Sequence, residues 1–342
     1  MQNSKKLRGL FVAFSAALSL AASVAEAAPF RIIITETETP LVPNSVTDLA
    51  LRLGYYKKAG VEVELVRVAQ TPSAVAALRS GQGEMANLAL DSALQLVARN
   101  QMKLKGVMSP DKALPFVIAT SKDITSAAQL EGKAFGVARV GSVDYLLSRT
   151  VLAKLGLNPD KVNYVALGQP PVRAQSLLAK RIDATTFSIG VWLNLADKSG
   201  VNMLVDQQKF NDAAPFITKL NVVTETTAST RGKEVQAVVD AIIAASRDFA
   251  KDPKIWVDAM VQARPDVKRT DLEQLAENYK ANWSINGGLN MAALSYTTDT
   301  IYLDTEWKDV RKVDPKEWID LGYTDRFLAA NGVAPTYDAT GR

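Results

Sequence analysis

Short hydrophobic segments alternate with longer amphipathic segments along most of the chain. In the first third, the short segments carry Ile, Val, Leu or Met, as β-strands do, and the first of them is the run of three isoleucines at 32–34. Between them lie helical patterns, one from Ser45 to Gly60 and another from Thr71 to Gly81. This alternation predicts parallel β-α-β units. The strands predicted in this series cover residues 32–34, 61–66, 85–88 and 104–108.

A second series with the same order begins after Ser121. Its helices are predicted to begin at Ser142, Pro170 and Gly190, and an apolar strand at 134–138 precedes the first of them. The other strands predicted in this series cover residues 162–167, 184–188 and 203–205, and an extended segment follows at 216–224.

The last third of the chain, from Gly232 onward, is predicted to be mostly helical. Its first helix carries apolar residues at intervals of three and four, and these form one stripe that faces a core. The stripe consists of Val235, Val238, Val239, Ile242 and Ile243.

The repeated order of strands and helices favours two similar lobes over the alternative of one larger doubly wound sheet. The segment ALRSGQGEMAN at 77–87 is echoed by LLAKRIDATT at 177–186, which joins the end of a helix to a strand in the same way. The chain is expected to cross between the lobes near 119–122 and to return near 219–224. The predicted division assigns residues 28–120 and 222–342 to the first lobe and residues 121–221 to the second lobe.

The first residues have the composition of an export signal. A positively charged start precedes an apolar segment at 9–24 that is too short to span a bilayer comfortably. The sequence AEA at 25–27 then supplies the small residues of a signal-peptidase site. Residues 1–27 are therefore predicted to be a cleaved signal peptide and the mature chain to be periplasmic. An uncleaved membrane anchor is the alternative, which the clean cleavage site disfavours.

The overall composition is that of a globular protein, with 47% hydrophobic and 22% charged residues in a chain of 342. Removal of the signal peptide takes away three basic residues and one acid, which lowers the formal net charge from +4 to +2. The basic residues are scattered, so nucleic acid is not an expected partner. The chain has no Cys and no His, which excludes His-based triads, cysteine nucleophiles, the usual zinc sites and a lipid on an N-terminal Cys. No cofactor is expected.

Ligands of open parallel sheets bind beyond the carboxyl ends of the strands. In this chain those ends are short loops of polar or small residues, and in a two-lobed protein the loops of both lobes face one cleft. The sequence therefore predicts a ligand site built from these loops and from the first turns of the helices that follow them. The candidate ligand-binding residues are Thr37, Glu38, Asn87, Leu88, Asp91, Arg139, Gly141, Ser142, Gln169, Arg173, Ser188 and Trp192.

The segment FGVARVGSVDYLL at 135–147 joins a buried strand directly to a helix. No Lys follows the glycine, so the segment is not a phosphate-binding P-loop. The unpaired N–H groups and partial positive charge of the helix start can bind an anion, which Gly141 would let approach and to which Ser142 could donate its hydroxyl. Alternatively, Ser142 caps its own helix. Asp144 would repel an anion and is expected to point to solvent.

The other candidates also have structural alternatives. Arg139 and Arg173 could each bind a carboxylate or sulfonate through two N–H groups, or could form salt bridges. Asn87 could bind a ligand or hold a turn, and Asp91 could bind an amine or cap a helix. Trp192 could stack on a ring or pack in the core.

Four runs of sequence resemble the periplasmic solute-binding proteins of ABC importers. The resemblance is to the branch that binds nitrate, sulfonates and taurine, which shares a domain with the thiamine-pyrimidine synthases of fungi. It covers residues from about 30 to 225. The runs are LALRLGYYKKAGVEVELVRV (49–68), AALRSGQGEMANLALDSALQLV (76–97), LEGKAFGVARVGSVDYLLSRTVLAKLGLNPDKVNYVALG (130–168) and LLAKRIDATTFSIG (177–190).

The resemblance implies the two-lobed α/β fold of periplasmic binding proteins of type II. Each lobe would be a mostly parallel sheet flanked by helices, and two strands would form the hinge. The resemblance also implies closure on a small solute without catalysis, and contact of Gly141 and Ser142 with an anionic group. The fungal synthases need a histidine and a cysteine-rich motif, which this chain lacks, so their activity is not expected. The loop TETETP at 35–40 matches no pattern of a particular solute.

Three functions follow as hypotheses. The leading one is a monomeric periplasmic receptor that captures a small anionic organic solute and delivers it to an ABC permease in the inner membrane. The second is a module of the same fold that presents its ligand to a membrane receptor. The third is an exported enzyme that uses Glu36 and Glu38 as acid and base, although two exposed carboxylates in a loop are the more common situation.

Overall fold

The computed structural model describes residues 28–112 and 114–335, which form two α/β lobes. The predicted signal peptide, residues 1–27, lies outside the described residues. Within the described ranges, ten strands assemble into two five-stranded sheets. In chain order the strands are β1 (Phe30–Ile34), β2 (Val63–Arg67), β3 (Met85–Ala89), β4 (Leu104–Met108), β5 (Phe116–Ser121), β6 (Ala134–Val137), β7 (Asn163–Ala166), β8 (Ala184–Ser188), β9 (Val201–Val205) and β10 (Lys219–Thr224).

The first sheet has the strand order β2-β1-β3-β10-β4. Strand β1 pairs in parallel with β2 and β3, whereas β10 runs antiparallel between β3 and β4. Strands β1, β2, β3 and β4 therefore run in one direction, as expected for a mostly parallel sheet. Strand β10, which follows the return from the second lobe, runs in the opposite direction.

The second sheet repeats this order as β7-β6-β8-β5-β9, with β5 in the place of β10. Strand β5 runs antiparallel between β8 and β9. The two antiparallel strands share a register shift, between Ile118 and Ala119 in β5 and between Asn221 and Val222 in β10. The segments at 77–87 and 177–186 that echo each other in sequence lead into equivalent strands, β3 and β8.

The chain passes from the first sheet to the second between Met108 and Phe116, and returns between Val205 and Lys219. The first passage lies earlier than the crossing expected at 119–122, because the apolar run FVIATS is strand β5 and not a linker. The sheet pairing thus places residues 116–120 in the second sheet. It also places Lys219 in the first sheet, where it pairs with Ala89.

Helices cover both faces of each sheet and, in the described residues, number fourteen. They are α1 (Ser45–Arg52), α2 (Tyr55–Lys58), α3 (Thr71–Arg79), α4 (Leu90–Ala98), α5 (Val143–Lys154), α6 (Pro170–Leu178), α7 (Ile189–Leu193), α8 (Gln207–Ala213), α9 (Glu225–Thr230), α10 (Gly232–Lys251), α11 (Pro253–Ala263), α12 (Arg269–Tyr279), α13 (Met291–Ile301) and α14 (Gly322–Asn331). Short 3-10 helices lie at Ala127–Leu130, Pro159–Lys161, Lys280–Asn282, Thr305–Trp307 and Pro315–Glu317.

The central strands β1 and β3 of the first sheet are buried on both faces. Ile32 and Ile34 point to one face and join the buried cluster that contains α10, whereas Ile33 points to the other face and joins the cluster that contains α4 and α13. This explains the run of three isoleucines, because alternate side chains of β1 each have a helix layer to pack against. The predicted stripe of α10 is confirmed, since all five of its residues are 0% exposed. Among residues 28–112 and 114–335, none of the helices combines the length and the hydrophobicity that spanning a bilayer requires.

Candidate functional site

A cavity of about 500 Å³ opens at the carboxyl ends of β6, β7 and β8 in the second lobe. This is the edge at which parallel sheets bind ligands, because the helix N-termini and the connecting loops converge there. The cavity brings together five of the predicted ligand-binding residues, which are Arg139, Ser142, Gln169, Arg173 and Ser188.

Apolar side chains form much of the cavity wall. They are contributed by Phe116, Ala138, Val143, Pro170 and Phe187. Ligand sites of this kind bury the apolar part of a ligand against their walls and fix its orientation with a few polar groups. The cavity therefore fits a small solute that combines an apolar part with one polar or charged end.

Arg173 in the first turn of α6 supplies the buried cation of the cavity. Its side chain is 3% exposed. Its Nε donates to Thr185 Oγ1 at 3.2 Å, Nη1 to the Gly168 carbonyl at 2.5 Å and Nη2 to the Thr186 carbonyl at 2.8 Å. Burial lowers the pKa of the guanidinium, and the neighbouring Asp144 opposes this effect. These bonds fix the guanidinium plane at the cavity wall.

Asp144 does not point to solvent as expected but folds back across the strand-to-helix junction. Its side chain is 12% exposed, and its Oδ2 lies 3.3 Å from Arg173 Nη2. The same oxygen accepts the Ala138 N–H at 2.9 Å. The prediction that Asp144 points to solvent was wrong, because the sequence pattern does not reveal its ion pair with Arg173. Because Asp144 compensates the charge of Arg173, the pair contributes little net charge to the cavity.

Ser142 occupies the N-cap position of α5, but its side chain makes no capping hydrogen bond to the helix. Its Oγ lies 2.6 Å from the Arg139 carbonyl oxygen and also within hydrogen-bond distance of the Asp144 carboxylate. A hydroxyl has one proton, so it donates to one of these acceptors at a time. The first N–H groups of α5 are therefore not taken by the serine, which leaves this end of a twelve-residue helix suited to an anion.

Arg139 extends from the end of β6 to the first lobe. It lines both the large cavity and a smaller cavity of about 110 Å³ between the lobes. Its Nη2 lies 3.5 Å from Asp304 Oδ2, in the turn after α13. The smaller cavity is also lined by Asp91 and Gly141, so the structure brings these two predicted residues beside Arg139. Gly141 has a φ of +86°, which side chains of L-residues rarely adopt.

The loop at 35–44 follows β1 in the first lobe and contains both glutamates that were considered for catalysis. Glu36 pairs with Lys219 and accepts a hydrogen bond from Asn44 Nδ2 at 3.1 Å, whereas Glu38 is exposed and lies 3.6 Å from Arg264. The two carboxylates are thus bound to different cations and do not face each other as a pair. Thr37 is exposed between them.

The same loop contacts the second lobe at α7. A Cβ added at Gly190 would lie 3.6 Å from Cδ1 of Leu41, so the loop packs directly on the start of that helix. Ser188 caps α7 by accepting the Val191 N–H at 3.5 Å. Trp192, in the same helix, packs with partial burial against the hydrophobic core.

Asn87 and Leu88 lie inside the first sheet and away from both cavities. Strand β10 pairs with β3 along positions 85–89, so positions 87 and 88 lie within the sheet and not at its edge. Asn87 is 2% exposed and donates from Nδ2 to Asn221 Oδ1 at 2.8 Å across the sheet. Leu88 is 0% exposed. These contacts give both residues a structural role.

Several cavity residues have no signal in the sequence that marks them. Phe116 begins strand β5, which the sequence pattern does not predict, and Phe187 and Val143 look like ordinary core positions. Asp304 and Glu306 reach Arg139 from a turn that is distant in sequence. Among the described residues, no group of three or more carboxylates is placed to hold a metal ion.

A buried carboxylate lies where the chain first passes between the sheets. Asp111 is 2% exposed, and burial raises its pKa to about 7, with Lys219 lowering the pKa and Glu36 raising it further.

A hydrogen bond joins the two connections between the lobes. Ser109 Oγ donates to the Lys219 carbonyl at 2.8 Å. This bond ties the first passage to the start of β10, so the two connections between the lobes are joined to each other.

The strand order and the cavity between the lobes define a two-lobed α/β protein of the periplasmic-binding-protein type. The sequence model of the NMT1/THI5-like family matches residues 48–255, which is more than half of the chain, and the protein belongs to this family. A search of curated protein sequences gave no match.

Solved structures share the fold at low sequence identity. The periplasmic aliphatic sulphonate binding protein SsuA from Escherichia coli is 17% identical, with 85% of this chain and 92% of that chain covered and a TM-score of 0.64. The alkanesulfonate-binding protein SsuA from Xanthomonas axonopodis pv. citri, bound to MOPS, is 16% identical, with 87% and 100% covered and a TM-score of 0.61.

The desulfurization enzyme DSZB is also similar, with 16% identity, 88% of this chain and 99% of that chain covered and a TM-score of 0.62. The fold therefore occurs in both binding proteins and an enzyme. Together with the family match, these structures confirm the predicted two-lobed fold and the resemblance to solute-binding proteins of ABC importers.

Proposed function

We propose that this protein is the periplasmic substrate-binding component of an ABC importer. It captures a small anionic organic solute between its lobes and delivers that solute to a permease in the inner membrane. The family, the two-lobed fold and the similarity to SsuA proteins support this role. The predicted signal peptide and the scattered distribution of charge fit a monomeric exported protein that does not bind nucleic acid.

The observation that carries the proposal is the cavity at the start of α5 and α6. It combines the Arg173 guanidinium, the uncapped end of α5 and apolar walls that include Phe116 and Phe187. A sulfonate or carboxylate on a short apolar chain suits this combination, because the anion meets N–H donors while the chain is removed from water.

Catalysis is not part of the proposal. The carboxylates considered as acid and base are held apart, since Glu36 pairs with Lys219 and Glu38 lies near Arg264. The similarity to DSZB makes turnover worth measuring, and Glu36→Gln is the variant for that test. Loss of turnover in this variant would support the enzyme, whereas binding without turnover would support the receptor.

A thermal-shift screen of the purified protein tests the proposal. The compounds are butanesulfonate, methanesulfonate, butanoate, benzoate and, as an uncharged control, butanol. A ligand present at about a hundred times its dissociation constant adds about 2.7 kcal/mol to the free energy of unfolding. We expect butanesulfonate or a related anion to raise the melting temperature and butanol to leave it unchanged. A protein that none of the anions stabilises would contradict the proposal.

A matched pair of variants locates the binding site. Gln169→Glu places a negative charge at the cavity, where Gln169 is exposed at the start of α6. Gln82→Glu makes the same change at an exposed turn of the first lobe. We expect the first variant to lose most of the thermal shift and the second to retain it. Equal shifts in both would place the ligand elsewhere.

A further inference from the structure

Arg139 belongs to the second lobe but pairs with acids of the first lobe. Its Nη2 lies 3.5 Å from Asp304 Oδ2 and 3.9 Å from Glu306 Oε1. The Asp304 side chain is 15% exposed, whereas that of Glu306 is 73% exposed. Asp304 is the stronger partner, because it is closer and because a shielded carboxylate is less screened by solvent.

The same guanidinium also faces the strand-to-helix junction of its own lobe. A Cβ added at Gly141 would lie 3.8 Å from Nη1 of Arg139, so Nη1 faces the turn before α5 while Nη2 faces Asp304. A guanidinium has five N–H donors in one plane. An anion at the junction and the Asp304 carboxylate can therefore bind different edges of Arg139 at the same time.

We propose that Asp304 is a positioning residue that holds Arg139 across the cleft, with Glu306 as a weaker second partner. This inference rests on the proposed function of the cavity. One guanidinium then connects the anionic group of the solute to the first lobe. Because Arg139 and Asp304 belong to different lobes, opening of the cleft would separate them, and solute binding and closure are thereby coupled through Arg139.

A competing arrangement makes the opposite prediction. If Asp304 competed with the solute for Arg139, removal of the Asp304 charge would free the guanidinium and strengthen solute binding. If Asp304 positions Arg139, removal of the charge weakens binding. The sign of the change in affinity therefore decides between the two arrangements.

Calorimetry with butanesulfonate at low salt measures this sign. We expect Asp304→Asn to raise the dissociation constant about twofold to fivefold, as for loss of a partly exposed ion pair, and Asp304→Glu to restore it. The control is Asp299→Asn, which removes a carboxylate from the preceding helix, where Asp299 pairs with Lys312 at 3.6 Å and both are exposed. An unchanged or lower dissociation constant for Asp304→Asn would overturn the proposal.

X-ray scattering without solute independently tests the bridge, by which we mean the ion pair of Arg139 and Asp304 between the lobes. At low salt, Asp304→Asn and Arg139→Asp should have a larger radius of gyration than the wild type and Asp299→Asn. The charge swap Arg139→Asp with Asp304→Arg should restore the radius but not solute binding. About 0.5 M salt should remove these differences, because it shortens the screening length well below that of dilute buffer.

Equal radii for the wild type and Asp304→Asn at low salt would also overturn the proposal. A wild-type protein that binds no butanesulfonate or other anion would instead refute the proposed function, and the scattering experiment would still decide whether the bridge exists.

Discussion

Arg173 and Asp144 form an ion pair inside the second lobe, with Nη2 and Oδ2 3.3 Å apart and side chains that are 3% and 12% exposed. The pair is set at the wall of the cavity, where a second anion is proposed to bind. Arg173 would therefore interact with two anions at once, the Asp144 carboxylate and the anionic group of the solute. The balance between these two partners sets how strongly the cavity attracts a negative charge.

Asp144→Asn is expected to increase the affinity for anionic solutes several-fold. Asparagine can still accept the Ala138 N–H, but it no longer compensates Arg173. The free energy of unfolding should fall by about 1–3 kcal/mol, because a charge-assisted contact is lost. Calorimetry with butanesulfonate and urea denaturation measure the two effects. Asp160→Asn is the control, since Asp160 is 74% exposed and pairs with Arg149 in the same lobe. Reduced affinity in Asp144→Asn would contradict the compensation argument.

Arg173→Met should abolish binding of anionic solutes and destabilise the fold by about 3–5 kcal/mol, because it leaves Asp144 buried without its partner. Adding Asp144→Asn to this variant should recover part of the stability but none of the binding. Urea denaturation of both single variants and the double variant measures the coupling. Strictly additive losses would mean that the two side chains do not interact energetically.

Asp111 is expected to make the stability of the protein decrease as the pH rises. Its pKa is raised by burial to about 7 from an ordinary value of 3.8, so the folded state binds its proton more tightly than the unfolded state does. This stabilisation is complete at pH values below the unfolded pKa and is lost as the pH rises through about 7.

Asp111→Asn tests this linkage. The difference in unfolding free energy between the variant and the wild type should change by at most about 1.4 kcal/mol per pH unit between pH 4.5 and 7. Asp123→Asn, at an exposed residue, should give parallel curves. The measurement is urea denaturation at a series of pH values. Parallel curves for Asp111→Asn as well would show that the carboxyl does not titrate in this range.

Asn87→Ala should lower stability without changing solute affinity. The replacement leaves Asn221 buried without the partner that now bonds to it at 2.8 Å, at an expected cost of about 1–3 kcal/mol. Asn221→Ala should cost a similar amount, and the double variant less than the sum, since the bond can be lost only once. Denaturation and calorimetry on the three variants check this. A large fall in solute affinity for Asn87→Ala would show instead that Asn87 contributes to ligand binding, as the sequence predicted.

The sequence predicted the parts of the fold that depend on local pattern. Helix α10 is visible as periodic apolar positions, and strands β4 and β8 have the bounds that the sequence predicts. Strand β5 was missed because its run FVIATS has no helix on either side that would mark a β-α-β unit. An antiparallel strand inserted into a parallel sheet breaks the rule on which the prediction relied.

The site was predictable where it follows from topology. Residues at the carboxyl ends of strands, such as Ser142 and Arg173, lie in the cavity because parallel strands end at a common edge. Asn87 lies inside the sheet because the antiparallel strand β10 pairs with β3 there, and the local pattern around Asn87 does not reveal that neighbour. The contact of Asp304 with Arg139 joins residues far apart in sequence, and no local pattern encodes such a contact.

Strand β10 has a consequence for partial chains. It separates β3 from β4, which do not pair with each other, and it is the last strand of either sheet to be reached along the described residues. A fragment that stops before Lys219 would therefore present two unpaired strand edges in its first lobe, each of which invites aggregation. Truncation experiments that aim to isolate an N-terminal half of this protein need to extend beyond Thr224.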